Sequence, residues 1–599
     1  MRFSLFHVAG KAAVLAATAI LAIAVPEAAA QKTVFRKSGP QRIEVTIASV
    51  VQNDEVLTGR LLVCIARPAE PQKDSHGNPL EPEEPCQQID ESYHSQQIFG
   101  VDVSALKPGA AIAVDDAAQG YPIAKLRDLP VGDYLVQAIF NRYEEFHPAS
   151  AHGKSVWLPP DKGEGQRWNE KPGNPMSTPV KMHLDPAHGG EIKLALDQVI
   201  PPLPAPEADT KYLKHIQIKS DMLTKFWGRD TSIQAMVLLP AGFDEHPDAH
   251  YPVVVWQDHF LPKLRVPTPW REVPPGDFKD ATGKLIQRYA YRFYNDWTGG
   301  ILPHVILVVL NHANPYYDDS YAVNSANIGP YGDAITQEVI PEIEKRYRGI
   351  GAGWARGTLG GSTGGWEALA SQIFYPDFYN GAWGLCPDPV DFHSYQVTNL
   401  YDDTNAYERT GPFETVPIPS DRHGDGDVTS EMAQVNHYEL ALATHGRSAE
   451  QYDAWQAVFS PAGDDGYPRP IYDKQTGAVD KQTVQYWHDH FDLDAILMRD
   501  WSTLGPKLEG KLHIAVGLSD TYYLNNAVHL LQQNLEKTQH PHSDAEFDYG
   551  RWAPHCYTGA QPDWDESHSL DLEDRVLPLM VKHMLATAPA GADVKSWRY

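Results

Sequence analysis

The run "HVILVVLNH", residues 304–312, leaves this chain few choices. Every position from Val305 to Leu310 is aliphatic, so a strand there has no polar face to offer water and must be covered on both sides. Burial of that kind belongs to a parallel sheet with helices on both faces. The surrounding sequence has the matching rhythm. "TSIQAMVLLP" and "YPVVVWQ" read as strands before it, and "GDAITQEVIPEIEKRY" as a helix after it, with Ile335, Val339, Ile340 and Ile343 close to one face and Pro341 placed to kink it. "WARGTL", "YNGAWGLC", "KLHIAVGL" and "AEFDYGRW" read as further strands, "GWEALASQIFY" and "NNAVHLLQQNLEK" as further helices. Strands alternating with helices predict an α/β unit built on a mostly parallel sheet.

Residues 31–205 follow a different pattern. "RIEVTIASVV", "TGRLLVCIA", "AAIAVDD" and "DYLVQAIFNRY" cluster or alternate β-branched and apolar residues between turn residues, without helical periodicity. This predicts a β-rich, sandwich-like accessory domain over 31–205. The proline-dense "IPPLPAPEADT", residues 200–210, reads as a semi-rigid linker to an α/β domain over 206–599. Within the latter, 393–505 is aromatic, irregular and too long for an ordinary connection, which predicts an inserted cap or lid.

The N-terminus reads as an export signal over 1–30: Arg2 and Lys11 precede the apolar "AAVLAATAILAIAV", and small residues allow cleavage after Ala30. The apolar run falls short of the ~20 residues a spanning helix needs, so no stable membrane anchor is expected. A periplasmic or secreted chain with an even set of cysteines favours disulfides. Cys64 with Cys86 and Cys386 with Cys556 keeps one bridge in each domain, although other connectivities remain open. The 78 Asp+Glu against 50 Lys+Arg give a net charge of −28, which argues against nucleic acid as a partner. Oligomeric state is not legible.

The chemistry concentrates at "GTLGGSTGGWEAL", residues 357–369. Gly360, Ser362 and Gly364 form G-x-S-x-G at a strand-to-helix junction, where a serine in a tight turn stands exposed above the sheet. The Thr363 backbone N–H, at the helix start, points toward a developing oxyanion. A serine hydroxyl needs a base, and the base an orienting carboxylate, in the order serine, acid, histidine. Asp520 follows the strand "KLHIAVGL", and His555 stands one helix and one strand later in "RWAPHCYTG". Asp388 and Asp391 are the alternative acids, His542 and His568 the alternative bases. Cys386 bridged to Cys556 would pin the loop that carries His555.

The runs "YPVVVWQDHF", "ILVVLNHANPYYDDSYAVNSANIGPYGDAITQEVIPEIEKRY" and "GGSTGGWEALASQIFYPDFYNGAW" resemble the putative esterase family of α/β hydrolases, which includes S-formylglutathione hydrolases, feruloyl esterases, mycolyltransferases and enterochelin esterases. The resemblance covers about residues 210–390 and, more loosely, 510–575; a β-sandwich ahead of the hydrolase domain is similar to the enterochelin-esterase arrangement. It implies a serine esterase with Ser362 as nucleophile, Asp520 as acid and His555 as base. It implies neither a metal nor an organic cofactor. The expected substrate is a small-molecule or glycan-linked carboxylic ester. Where relatives carry His-Gly this chain reads Asp258-His259, so the second oxyanion donor is sought within 257–260, with His259 as candidate. Acyl transfer by the same triad, or a non-catalytic binding protein on this scaffold, are the competing functions.

Other clusters carry less. "DRHGDGDVTSE" lacks the spacing of an EF-hand and reads as a solvated acidic loop, and "YWHDHFD" would put His488 and His490 on one face only if it were a strand. Tyr438, Tyr452, Trp455, Tyr486 and Trp487 read as packing residues.

Overall fold

The computed structural model describes residues 41–68, 83–92, 94–203, 208–257, 270–276, 281–559 and 572–599. The proposed signal segment, His259 with its neighbour Asp258, and His568 lie outside the described residues. The central sheet contains β1 (Leu213–Lys219), β2 (Ser232–Leu238), β3 (Val253–Gln257), β4 (Ile306–Asn311), β5 (Arg356–Gly361), β6 (Ala382–Leu385), β7 (Leu512–Gly517) and β8 (Glu546–Gly550), in the order β1-β2-β4-β3-β5-β6-β7-β8. Every residue of β4 is buried, as its lack of a polar face demands.

The sheet is mixed but mostly parallel, with its two antiparallel pairings at one edge. β1 pairs with β2 and β2 with β4 antiparallel, while the remaining neighbours are parallel. An aliphatic strand buries the same side chains in either direction, so the apolar pattern of "TSIQAMVLLP" does not encode its sense. After β4, a helix starts at Tyr331–Ala334, widens into a π turn at Ile335–Val339 and resumes as α1 (Ile340–Tyr347) with Pro341 in its first turn. Proline cannot donate to the helical ladder, and the wide turn lies directly before it. Ile335, Val339, Ile340 and Ile343 are all buried.

β5 leads into α2 (Thr363–Phe374), a helix buried almost throughout. The 393–505 stretch contains two hairpins, Glu408–Thr410 with Thr415–Pro417 and Pro419–Arg422 with Val428–Glu431, and then α3 (Met432–Leu442), α4 (Gln451–Phe459), α5 (Lys481–His490) and α6 (Leu493–Leu508). Its aromatic residues Tyr452, Trp455 and Trp487 are buried and belong to the same core as the central sheet. His488 and His490 sit on α5, where an i, i+2 pair points to different sides of the helix, so they do not share a face. Between β7 and β8 runs α7 (Asn525–Leu535).

The described residues before 200 form strands, short helical turns and loops. Arg42–Ile47 pairs with Glu191–Leu196 and Ala111–Val114, and a larger sheet is built on Leu57–Ala66, Gln97–Leu106 and Gly132–Phe146. The alternating inward residues of Arg42–Ile47 meet Leu61, Val63, Phe99 and Val136 in a core separate from that of the central sheet. Arg60, buried in this region, donates to the carbonyls of Leu440 and Ala441 on α3 and pairs with Asp102, tying the β-rich part to the helical stretch.

Cys64 and Cys86 are bridged, with Cα atoms 5.2 Å apart. Cys386 and Cys556 are not: they stand as two buried thiols in contact, which corrects the second expected bridge. Both cysteines have backbone φ in the left-handed region, 39° and 69°. Parity of cysteines counts candidates but cannot set the approach of two Cβ atoms that a bridge requires. Alkylation of the unfolded, unreduced protein is therefore expected to modify Cys386 and Cys556 and to spare Cys64 and Cys86; peptide mapping that finds Cys386 unmodified would contradict this.

Candidate active site

The turn between β5 and α2 puts Ser362 at φ 59°, ψ −123°, a conformation that costs a non-glycine residue ~1–3 kcal/mol. The surrounding hydrogen bonds hold it there. The Ser362 N–H donates to the Leu385 carbonyl on β6 at 2.9 Å, while its own carbonyl accepts from Gly365, Trp366 and Asp388. The glycines make the turn possible. A Cβ on Gly360 would lie 2.3 Å from the Gly364 carbonyl oxygen, and one on Gly365 would lie 2.4 Å from that of Leu385.

Asp520 leaves the end of β7, fully buried. Its Oδ1 accepts the N–H groups of Tyr522 and Leu524, which fixes the carboxylate and leaves Oδ2 facing His555. His555 follows β8. Its Nδ1 lies 2.8 Å from Asp520 Oδ2 and its Nε2 lies 2.9 Å from Ser362 Oγ. An ionised carboxylate only accepts, so Nδ1 carries the proton and Nε2 presents its lone pair to the serine hydroxyl. The Tyr522 ring stands edge-on to the imidazole at 4.9 Å, and Arg422 holds the Asp520 carbonyl through Nε at 2.9 Å.

Burial pushes the His555 pKa down, but the Asp520 carboxylate, Cys386 and Asp388 more than reverse it, so it is raised to about 9. For Cys386, burial pushes the thiol up, and the Cys556 hydrogen bond and the His555 charge bring it net below the ordinary thiol value.

The alternative acids lie elsewhere. Asp391 accepts from His393 N–H and contacts the His393 ring at 2.7 Å. Asp388 Oδ2 accepts from Tyr321 at 2.8 Å, Trp455 Nε1 at 3.0 Å and Thr363 Oγ1 at 3.1 Å. Gln451 reaches the same Tyr321 hydroxyl at 2.6 Å. This buried carboxyl, whose pKa burial raises, thus braces Thr363 beside the serine and anchors α4 to the turn. Sequence reasoning missed that role because its partners lie up to 67 residues away. His542 Nδ1 contacts the Thr538 carbonyl at 3.1 Å and does not join the line.

His312, Asp319 and Glu367 form a buried group behind the turn. His312 Nδ1 accepts the Ser320 N–H at 3.1 Å, so Nε2 holds the proton and has no lone pair for a cation. Among the described residues, no helix is long and apolar enough to cross a membrane.

The topology with a serine turn after β5 is that of an α/β-hydrolase-like fold. Residues 228–388, which run from β2 to just past β6, match the sequence model of a family described as putative esterase. Similar solved structures include a ferulic acid esterase, 13% identical, covering 62% of this chain and 99% of its own with a TM-score of 0.34. An S-formylglutathione hydrolase from Agrobacterium tumefaciens is 9% identical, covering 63% of this chain and 97% of its own with a TM-score of 0.31. The fluorophosphonate-binding serine hydrolase FphF from Staphylococcus aureus is 14% identical, covering 62% of this chain and 98% of its own with a TM-score of 0.30. No curated protein sequence matches the chain.

Proposed function

We propose that this chain is an exported serine esterase that cleaves a carboxylic ester through an acyl-enzyme. The observation that carries the reading is the unbroken line Ser362 Oγ, His555 Nε2, His555 Nδ1, Asp520 Oδ2, seated on a strained turn at the carboxyl edge of the sheet. Ser362 Oγ attacks the ester carbonyl as His555 Nε2 takes its proton; the imidazolium then returns that proton to the departing alcohol. Water, deprotonated by the same nitrogen, attacks the acyl carbon, and the imidazolium returns the proton to Ser362 Oγ as the acid departs. Asp520 stabilises the imidazolium without accepting its proton.

The Thr363 N–H, first in α2, is the oxyanion donor on the helix side. β3 runs parallel to β5 with Gln257 opposite Gly360, so the chain leaves β3 beside the serine turn. The second donor is sought within 257–260, with His259 as the candidate. Export is supported by the N-terminal signal pattern and by the Cys64–Cys86 bridge, a bond that persists in oxidising compartments. The substrate is a small-molecule or glycan-linked carboxylic ester.

Labelling with a fluorophosphonate, followed by short-chain, aryl and sugar esters, tests the reading. A folded wild-type protein that takes no label and cleaves no ester would overturn it.

The pH dependence is a further expected result. Only neutral His555 can act as base, so with its pKa at about 9 the free-enzyme kcat/KM should fall roughly tenfold per pH unit below that value. An acid limb centred near the unperturbed value of ~6.5 would show that the neighbouring carboxylates do not hold the proton. The same raised pKa makes His555 stabilising to the fold below its unfolded value, a contribution lost as pH rises through about 9.

A further inference from the structure

The thiols of Cys386 and Cys556 and one ring nitrogen of His555 all lie within 4.8 Å of one another. The chain brings them close: Cys386 directly follows β6, beside the Ser362 turn that hydrogen-bonds to the same strand end, and Cys556 directly follows the histidine. Two thiols and an imidazole form a donor set suited to soft and borderline d¹⁰ cations rather than to calcium or magnesium, which require oxygen ligands. Geometry agrees. With Zn–S near ~2.3 Å and Zn–N near ~2.0 Å, tetrahedral ligand atoms stand about 3.5–3.8 Å apart, so the three atoms need draw in by only about 1 Å. A disulfide requires a far closer approach of the sulfurs, about 2.05 Å.

From this arrangement we infer that Cys386, Cys556 and His555 form an inhibitory site for a thiophilic divalent cation of the zinc type, which shuts off the serine by taking its base. Two thiol protons leave to solvent as two metal–sulfur bonds form, the imidazole donates a lone pair, and no electron changes hands. A cation on Nε2 displaces the Ser362 hydroxyl; one on Nδ1 displaces Asp520. Either stops the proton relay. The inhibition rests on the proposed catalytic role of His555, whereas the binding itself does not.

The test uses the untagged full chain kept reduced with a phosphine, titrated with cadmium and zinc chloride. Cadmium should bind at one ion per chain with a thiolate-to-metal absorption band in the ultraviolet, and both ions should slow fluorophosphonate labelling of Ser362, while magnesium does neither. Cys386→Ser and Cys556→Ser should lose the band and need at least about tenfold more metal to slow labelling. Their labelling rates without metal show that they are folded. Absence of the band in the wild type, or metal sensitivity in both variants equal to that of the wild type, would overturn the site. A band without slowed labelling would overturn the inhibition alone. Failure of the esterase reading would show separately, as absent labelling in metal-free protein.

Discussion

Ser362→Ala is expected to take no fluorophosphonate label and to lower ester hydrolysis by about 10⁵–10⁶-fold, with the fold intact. The size follows from the geometry. Ser362 Oγ lies within hydrogen-bond reach of His555 Nε2, at 2.9 Å, so removing it takes away the hydroxyl that this base deprotonates. What survives is the activity that binding and the oxyanion donors give to direct attack by water, about 10³–10⁴ over the uncatalysed rate. The backbone does not distinguish the two residues, because alanine at φ 59° bears the same strain and the turn is held by main-chain bonds to Leu385, Gly365, Trp366 and Asp388. Thermal unfolding of the variant should therefore track the wild type. Residual labelling at another serine would reassign the nucleophile; unchanged hydrolysis would remove the acyl-enzyme altogether.

What the sequence discloses, and what it hides, divides along a physical line. Features set by neighbouring residues are legible. The aliphatic run of β4, the apolar strands that flank it and the glycines packed around Ser362 are written in consecutive positions, because burial on both faces and close backbone approach each demand a residue type at a fixed place. The helical character of α5 is obscured because "YWHDHFD" mixes aromatic and polar residues without a clean period, and of its apolar side chains only Val484 and Trp487 are fully buried. Strand direction in β1 and β2 is hidden for another reason: it depends on connections and not on which side chains are buried.

Features set by residues far apart in the chain are not legible in the same way. The order serine, acid, histidine admits Ser362, Asp520 and His555 alongside Asp388, Asp391, His542 and His568, and the fold brings the first three within hydrogen-bond reach. The bracing of Thr363 by Asp388, Tyr321 and Trp455 has no such ordering rule. It exists only because α4 from the 393–505 stretch packs against the serine turn. There Phe459 also meets the Trp366 ring at 4.9 Å, so the helical stretch is a structural wall of the site. The cysteines show the limit most sharply. Sequence pairs Cys386 with Cys556 correctly as neighbours, yet contact between buried sulfurs and a covalent bridge differ by an approach of an ångström or two, which no spacing rule records.

Asp520→Asn is expected to lower kcat/KM by about 10⁴-fold at neutral pH while leaving the protein folded. The carboxylate does two things here. Oδ1 accepts the backbone N–H groups of Tyr522 and Leu524, and an asparagine carbonyl can keep both bonds, which is why the loop should survive. The amide nitrogen is then turned toward His555 Nδ1, where it can only donate. Nδ1 must accept, the ring proton moves to Nε2, and the nitrogen facing Ser362 no longer has a lone pair to take its proton. The lost charge has a second signature. Burial drives the His555 pKa down and Asp520 is the first of the groups that raise it, so the acid limb of whatever activity remains should shift below the wild-type value of about 9. A residue that merely supported the loop would lower activity without moving that limb. Ser362→Ala with Asp520→Asn should be no slower than Ser362→Ala alone, because the carboxylate acts only through a histidine that has already lost its partner. If the two losses multiplied instead, Asp520 would be acting on something other than the serine relay.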